Sequence, residues 1–574
     1  MDRKSSLPVR IGLTLSGGGF RAAAFHLGTL MYLHRAKLLD KVQLLSTVSG
    51  GTFTGAKYAL SRVDNIDPED FFKKYYCELR EIRIFRDALQ LLGSPQEIDT
   101  PSRRKNIITC VAQVYSETLF GKCGRPRLFG EILNGNTGPL QEIIFNSTDF
   151  RSGIAFRFQK TQTGIVGNEK ARLARGDAAR MRLGEIVAAS SCFPAGFEPF
   201  EFPRDFHWPD GKGPDGETDF KAHPSPLMDG GIYDNQGLGS LELRIKKSES
   251  VDMVIISDTD RIKDPLYAMP ESVGELVKKP CVGFGWRVLL WCNPKLGSLA
   301  WITWLVMMLC CISACAIAIN LRDQLINQPR PSVLWMIFSN IVPGLLTVSC
   351  LSLTSMVRSV FKNQLLTNIP QLKIASWKYL AKLRLVNVVD MCWLRISSLV
   401  ALASEVFMKR IRASGFAKIY GDTTFDSILS ANFVYSIASD KWPFENIKSD
   451  NCEGGNNTEM LSGCTSQFVT ELKSIPKPSA KLLEIVDEAT AVETLLWFTN
   501  DRELPVLVAS GEATACFSLM KFLSRTRTVD ETGKFTNPSV QELWSLLRSD
   551  WDKFQTDPFF LAPESEPAEP IASA

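Results

Sequence analysis

The sequence predicts an α/β protein built around a mostly parallel sheet and interrupted by a two-helix hairpin long enough to cross a membrane. Three observations carry this expectation. Two units of apolar strand, glycine turn and helix follow one another near the start of the chain, and short apolar runs keep alternating with helical segments as far as VDMVIISDT at 251–259. Two long uncharged runs then break the pattern.

The stretch VRIGLTLS (9–16) is an apolar run that stops at Gly17, Gly18 and Gly19, and FRAAAFHLGTLMYLHRAKLL (20–39) repeats apolar residues at helical spacing. KVQLLSTV (41–48) has the composition of a buried strand, SGG that of a tight turn, and TFTGAKYALSRV that of the next helix. GIAFRFQK (153–160) and VDMVIISDT add two strands, and ELPVLVASGEATACFSLMKFLSR (503–525) resembles a further strand and helix. The α/β region therefore takes chain from both sides of the interruption.

The interruption is LAWITWLVMMLCCISACAIAINL (299–321) and VLWMIFSNIVPGLLTVSCLSLTSMV (333–357), of 23 and 25 residues without a charge. At about 1.5 Å per residue, each helix exceeds the roughly 30 Å of a bilayer's hydrocarbon. The alternative is a pair of buried core helices, which Ser339, Asn340 and Pro343 favour in the second run. The short connection RDQLINQPRPS and the placement of Trp301, Trp304 and Trp335 favour a membrane hairpin. Lys278, Lys279, Arg287 and Lys295 precede it and Arg358, Lys362, Lys373, Lys378 and Lys382 follow, which puts both flanks, and the catalytic region, on the cytosolic side of an integral membrane protein; Arg322 and Arg330 in the connection oppose that bias. The expected organisation is a catalytic region over 1–280, the hairpin over 297–358, a helical region completing the α/β domain over 359–550, and a disordered Pro-, Ala- and Glu-rich tail over 555–574. Helical segments over 359–415 lie on the membrane or cap the core.

A formal charge of +3, with 22% charged residues, gives no sign of a nucleic-acid partner. The fourteen cysteines are scattered and the start MDRKSSLPVR lacks an apolar leader core, so reduced thiols in a cytosolic setting are expected. Cys110, Cys123 and Cys192 have no metal-ligand spacing, and Cys310 and Cys311 lie in the most apolar run; neither metal nor organic cofactor is implied. The sequons at Asn146 and Asn456 are idle in that compartment.

Chemistry concentrates at three glycine-rich turns. TVSGG puts Ser49 between strand and helix, with Gly50 and Gly51 leaving space behind it, close to the nucleophile-elbow pattern G-x-S-x-G but with Thr47 in the place of the first glycine. By itself it is as compatible with an ordinary turn as with a nucleophile. Gly17, Gly18 and Gly19 offer backbone N–H groups to a phosphate, to an oxyanion, or to nothing. The chain there has neither the G-x-x-x-x-G-K-[ST] nor the G-x-G-x-x-G spacing of nucleotide loops, whereas acyl transfer needs such donors beside an attacking serine. Arg21 opposes the helix dipole and so calls for a partner, either a carboxylate that fixes the loop or an anionic lipid headgroup. A base is also required. None of the four histidines, His26, His34, His207 and His223, comes late enough for the serine–acid–histidine order, and His26 and His34 fall on the surface or in the packing of the first helix. Asp229 in PLMDGGIYDNQG, before Gly230 and Gly231, is the remaining candidate; alone, D-G-G is a common turn.

SGGGFRA, TVSGG and LMDGGIYDNQG, in that order, resemble the three signature blocks of the patatin-like phospholipases, and AASSCFPAGFEPF (188–200) resembles the segment that precedes the third. The resemblance covers roughly residues 9–260 and leaves out the hairpin. It implies a serine acylhydrolase with Ser49 as nucleophile, Asp229 as base, Gly17, Gly18 and Gly19 as oxyanion loop and Arg21 behind them. Ser16 where many members have aspartate, and Ala22 for a common glycine, depart from the pattern without removing a reacting group. The expected activity is a membrane-anchored lipid acyl hydrolase acting on phospholipids or lysophospholipids, with membrane lipids as substrate and surroundings. An acyltransferase using the same serine, or a lipid-binding scaffold without catalysis, are the alternatives.

Overall fold

The computed structural model describes most of residues 6–260, isolated positions between 261 and 383, most of 384–445, and residues 465–562. These fall into two units, one of 1–266 with 402–574 and one of 267–401. Within the second, a helix spans Leu385–Ala401. Apart from the isolated positions Met308 and Arg322, the hairpin expected over 297–358 lies outside the described residues.

The first unit is organised by a ten-stranded sheet: β1 (Ile11–Leu15), β2 (Val42–Val48), β3 (Glu142–Asp149), β4 (Ile154–Lys160), β5 (Val166–Gly167), β6 (Arg172–Leu173), β7 (Phe200–Phe202), β8 (Ser225–Asp229), β9 (Met253–Asp258) and β10 (Leu429–Phe433). The order β10-β9-β1-β2-β3 is parallel throughout, and β4, β5 and β6 continue it antiparallel. β1 and β9 are buried along their whole length. Strands covered on both faces need apolar residues at successive positions, hence the continuous runs in the sequence. Along β9, Met253 and Ile255 join the larger core cluster while Val254 and Ile256 join a second one with Leu238 and Leu241.

The larger core is filled by α1 (Gly19–Arg35), α2 (Gly50–Val63), α3 (Leu183–Ser190), α5 (Glu503–Thr526) and α6 (Pro538–Thr556), with α4 (Phe407–Tyr420) elsewhere in the same unit. The strand and helix expected over 503–525 are one helix of 24 residues. VLVAS has strand-like composition, but packing on α1 decides the outcome: a Cβ at Gly28 would collide with the Val508 carbonyl oxygen and one at Gly511 with that of Phe25, so the two backbones pass in direct contact. Among the described residues α5 is the one helix long and apolar enough to cross a membrane, and 94% of its most apolar stretch is buried inside the protein.

The first residues of the tail expected over 555–574 are packed on the core. α6 runs to Thr556, and Phe560 packs on Phe554 with ring centroids 4.6 Å apart; residues from 563 onward lie outside the described residues.

Candidate active site

Ser49 and Asp229 meet because two strands run toward each other in one lane of the sheet. β2 lies beside β3 and ends with Val48 opposite Asn146. β8 takes over the same side of β3 from the other direction, antiparallel, and ends with Asp229 opposite Ser147. The residue after one strand and the last residue of the other therefore face each other, close enough for the Ser49 hydroxyl to lower the Asp229 carboxyl.

Ser49 has φ 49° and ψ −119°, a backbone conformation that costs a non-glycine residue on the order of 1–3 kcal/mol. Its position is the N-cap of α2, where a serine normally turns its hydroxyl to the helix; here there is no such bond, and the hydroxyl acts instead on the Asp229 carboxyl. The strained turn is held by a relay. Ser49 N–H donates to Ser190 Oγ at 3.0 Å, and Ser190 donates to the Asn146 carbonyl at 2.6 Å. Thr52 must then donate to Ser190 at 2.8 Å, and Thr47 to Thr52 at 2.9 Å. The Thr47 that replaces a glycine in the elbow pattern is thus part of the support.

Asp229 is 1% exposed. Its N–H donates to the Cys192 carbonyl at 2.8 Å and that of Gly230 to the Ser190 carbonyl at 3.1 Å, so the segment after α3 fixes the aspartate turn. Gly231 N–H donates to Asp229 Oδ1 at 2.7 Å. Burial pushes the carboxyl up to about 6; hydrogen bonds from Ser49 and Gly231 and the nearby Arg412 guanidinium act in the opposite direction. A carboxylate in this range is a proton acceptor of useful strength near neutral pH.

Gly17, Gly18 and Gly19 open α1 directly beside this pair. A Cβ at Gly50 would collide with the Gly19 carbonyl oxygen and one at Gly51 with that of Leu15, so the two turns pack backbone against backbone. Gly18 (φ 149°) and Gly19 (φ 60°) adopt conformations that favour glycine. Gly17 corrects the expectation of three donors: its N–H is taken by the Asn235 carbonyl at 2.9 Å. The Gly18 and Gly19 amides have no hydrogen-bond partner among the described residues.

Arg21 is buried and donates to a main-chain carbonyl, that of Val492, at 3.1 Å. Neighbouring Phe20 N–H donates to the Leu495 carbonyl at 2.8 Å.

Set beside known proteins, the stretch containing all three turns decides the family likeness. Residues 13–241 match the patatin-like phospholipase family. No curated protein matches the chain. Among solved structures, human GIVD cytosolic phospholipase A2 in complex with methyl gamma-linolenyl fluorophosphonate aligns over 32% of this chain and 29% of its own, at 20% identity and a TM-score of 0.24. VipD from Legionella pneumophila aligns over 48% and 53%, at 15% identity and a TM-score of 0.24. The chain thus spans well under two thirds of either.

Several residues that hold the site were not read as such from the sequence, and one of them, Arg412, lies beyond the patatin-like match. His26 is fully buried: Nε2–H donates to the Ser16 carbonyl at 2.9 Å and Nδ1 accepts from Ser257 Oγ at 2.8 Å, while Ser16 also receives the Gly51 N–H at 3.1 Å. It is therefore a tie between α1, β9 and both turns, kept neutral by burial, which lowers it to about 4. Asn235 lay within the quoted LMDGGIYDNQG, but nothing there marked it. Arg412, on α4, donates from Nη2 to the Gly17 carbonyl at 3.0 Å and carried no sequence signal at all. Among the described residues no group of three or more His, Cys, Asp or Glu could hold a metal ion.

Proposed function

We propose that the chain is a membrane-anchored serine lipid acyl hydrolase working through a Ser49–Asp229 dyad. The family match over 13–241 supports a serine lipid hydrolase, and acyl esters of phospholipids or lysophospholipids are the substrate class it suggests. The observation that carries the mechanism is the serine at φ 49°, whose hydroxyl makes no cap bond to the helix it opens and stands at a buried carboxylate that burial raises to about 6.

Asp229 takes the proton of Ser49 as Oγ attacks the acyl carbonyl. The oxygen of the tetrahedral intermediate develops its charge against the Gly18 and Gly19 N–H groups, which no protein acceptor among the described residues occupies. Asp229 then returns the proton to the leaving alcohol, and the acyl group stays on Ser49. Water deprotonated by the same carboxylate hydrolyses it. Gly50 and Gly51 admit the close packing of the two turns, and Gly230 and Gly231 let Asp229 sit at the strand end. The uncharged runs at 299–321 and 333–357 support anchoring by a hairpin, with the catalytic region on the cytosolic side, which would hold the site where its substrate is concentrated.

Lipid profiling of membranes incubated with the wild-type protein and with Ser49→Ala tests catalysis and substrate class together. Free fatty acid released by the wild type alone is the expected result, with fluorophosphonate labelling lost in Ser49→Ala. Acyl groups appearing on an added alcohol acceptor would instead assign a transferase, and wild-type protein inert to both would leave a lipid-binding scaffold.

A further inference from the structure

We propose that Arg412 is a positioning residue of the oxyanion turn, clamping the Gly17–Gly18 peptide so that the Gly18 N–H points at the acyl oxygen; this rests on the reading of the glycine turn given above. The carbonyl of Gly17 and the N–H of Gly18 belong to one planar trans peptide, so they point in opposite directions. Whatever fixes the carbonyl fixes the line of the N–H. Arg412 Nη2 donates to that carbonyl at 3.0 Å, and Thr259 Oγ1 adds a longer bond at 3.4 Å.

The guanidinium is itself held from several sides. Nη1 donates to Asp260 Oδ1 at 2.9 Å, Asp258 Oδ1 lies 3.7 Å from Nη2, and the Asn235 amide, assigned with its oxygen toward the guanidinium, accepts from Nη2 and Nε. Asp258 and Asp260 stand at and just beyond the end of β9, while the main-chain carbonyl of Asn235 takes the Gly17 N–H. Arg412 therefore ties the end of β9 to both sides of the first glycine, and only a planar fork of donors reaches these acceptors together. The side chain is 10% exposed, so the cation acts through a medium that screens it little. A cation on a peptide carbonyl also withdraws charge from the amide and strengthens its N–H as a donor.

The consequence for the fold is specific. Arg412 belongs to α4, beyond the 267–401 unit, so a turn read from residues 17–19 is completed by chain that re-enters the first unit after the intervening one. The same guanidinium favours the ionised form of Asp229, which gives the clamp a signature that loss of packing lacks.

The test uses the full chain in detergent micelles with a 4-nitrophenyl acyl ester, comparing Arg412→Ala, Arg412→Lys and Ser49→Ala. Arg412→Ala is expected to lower kcat about 100-fold, the scale for loss of one oxyanion donor, with KM little changed. The acid limb of its pH profile should move to higher pH, and added guanidinium chloride at low millimolar concentration should restore part of the rate. Arg412→Lys should fall between. Wild-type kcat and an unmoved acid limb in Arg412→Ala overturn the proposal, as does a fall in kcat with neither a shifted limb nor a response to guanidinium, which assigns a packing role. If Arg412→Ala fails to fold, Arg412→Lys decides: lowered kcat at an unchanged melting temperature supports the clamp and wild-type kcat overturns it. Ser49→Ala that remains active removes the dyad reading, whereas inactive Ser49→Ala beside fully active Arg412→Ala removes the clamp alone.

Discussion

The methyl group of Thr47 fills the space that a side chain at Gly55 would need: a Cβ built at Gly55 stands 2.5 Å from Thr47 Cγ2. The usual elbow has its glycine on the strand, whereas here the small residue lies on the helix facing it. Gly55→Ala should therefore destabilise the protein by about 1–3 kcal/mol through overpacking, although alanine favours a helix. Thr47→Ser deletes the methyl and keeps the hydroxyl bonded to Thr52, so Gly55→Ala should cost far less in that background. Denaturant unfolding of the four proteins in the cycle checks this; equal costs in both backgrounds would refute the contact.

Asp229 must be ionised to accept the serine proton. With its carboxyl raised by burial to about 6, kcat/KM should be flat above about pH 7 and fall roughly tenfold per unit well below 6. A profile measured with a neutral ester between about pH 4.5 and 8 reads this limb. An acid limb near the ordinary carboxylate range of about 4 would mean that the base is another group or is more exposed.

His26 links stability to pH in the acid range. Burial lowers it to about 4 against an ordinary 6.5, so below 6.5 the unfolded chain binds a proton that the folded chain does not. Its contribution is complete above about pH 6.5 and lost progressively as pH falls toward 4, on the order of 3 kcal/mol in all. His26→Gln should be less stable at pH 7 because the ties to Ser16 and Ser257 weaken, and its stability should fall less steeply over that window. Parallel slopes for the two proteins in urea unfolding would exclude the assignment.

Arg35 grips Asp550 with two hydrogen bonds, of 2.6 and 2.7 Å, and the Asp550 side chain is fully buried. Arg35→Ala leaves that carboxylate only the longer contacts of Tyr32, at 3.4 Å, and Lys553, at 3.6 Å, and should cost about 3 kcal/mol, loosening α6 from α1. Replacing both residues, as Arg35→Leu with Asp550→Leu, should cost less than Arg35→Ala alone. Thermal unfolding distinguishes these, and a single variant as stable as the wild type would show that the pair contributes nothing.

Ser49, Asp229 and the glycines were legible because each turn is a local pattern, and β1, β2, β4 and β9 because each is an apolar run. β3 was hidden by its own second half, Asn146, Ser147, Thr148 and Asp149, which reads as polar loop. All four are buried, and three are bonded within the site region: Asn146 Nδ2 donates to Ser46 Oγ and the Thr47 carbonyl, Ser147 Oγ to the Met228 carbonyl, and Thr148 Oγ1 to the Asp229 carbonyl. A glycan on Asn146 is thus incompatible with the fold, whatever the compartment. The reading of α5 failed in the other direction, since a run of Val and Leu in a strand-like setting gave no hint of the glycine crossing with α1. The role of Arg412 was hidden, and His26 was read no further than the surface or packing of the first helix, because their meaning depends on contacts across the chain that no local spacing encodes.

β9 gains its second parallel neighbour, after β1, only at β10, so the strand that ends at Asp258 waits for the one that begins at Leu429. At 5–20 residues per second, a ribosome takes on the order of ten to thirty seconds to cover that distance. During that interval the nascent chain carries an open sheet edge, and both Ser49 and Asp229 have already been made while Arg412 has not. The order of synthesis therefore places the last support of the glycine turn after the 267–401 unit has emerged, so that a chain cut short within that unit carries its reacting residues without their clamp.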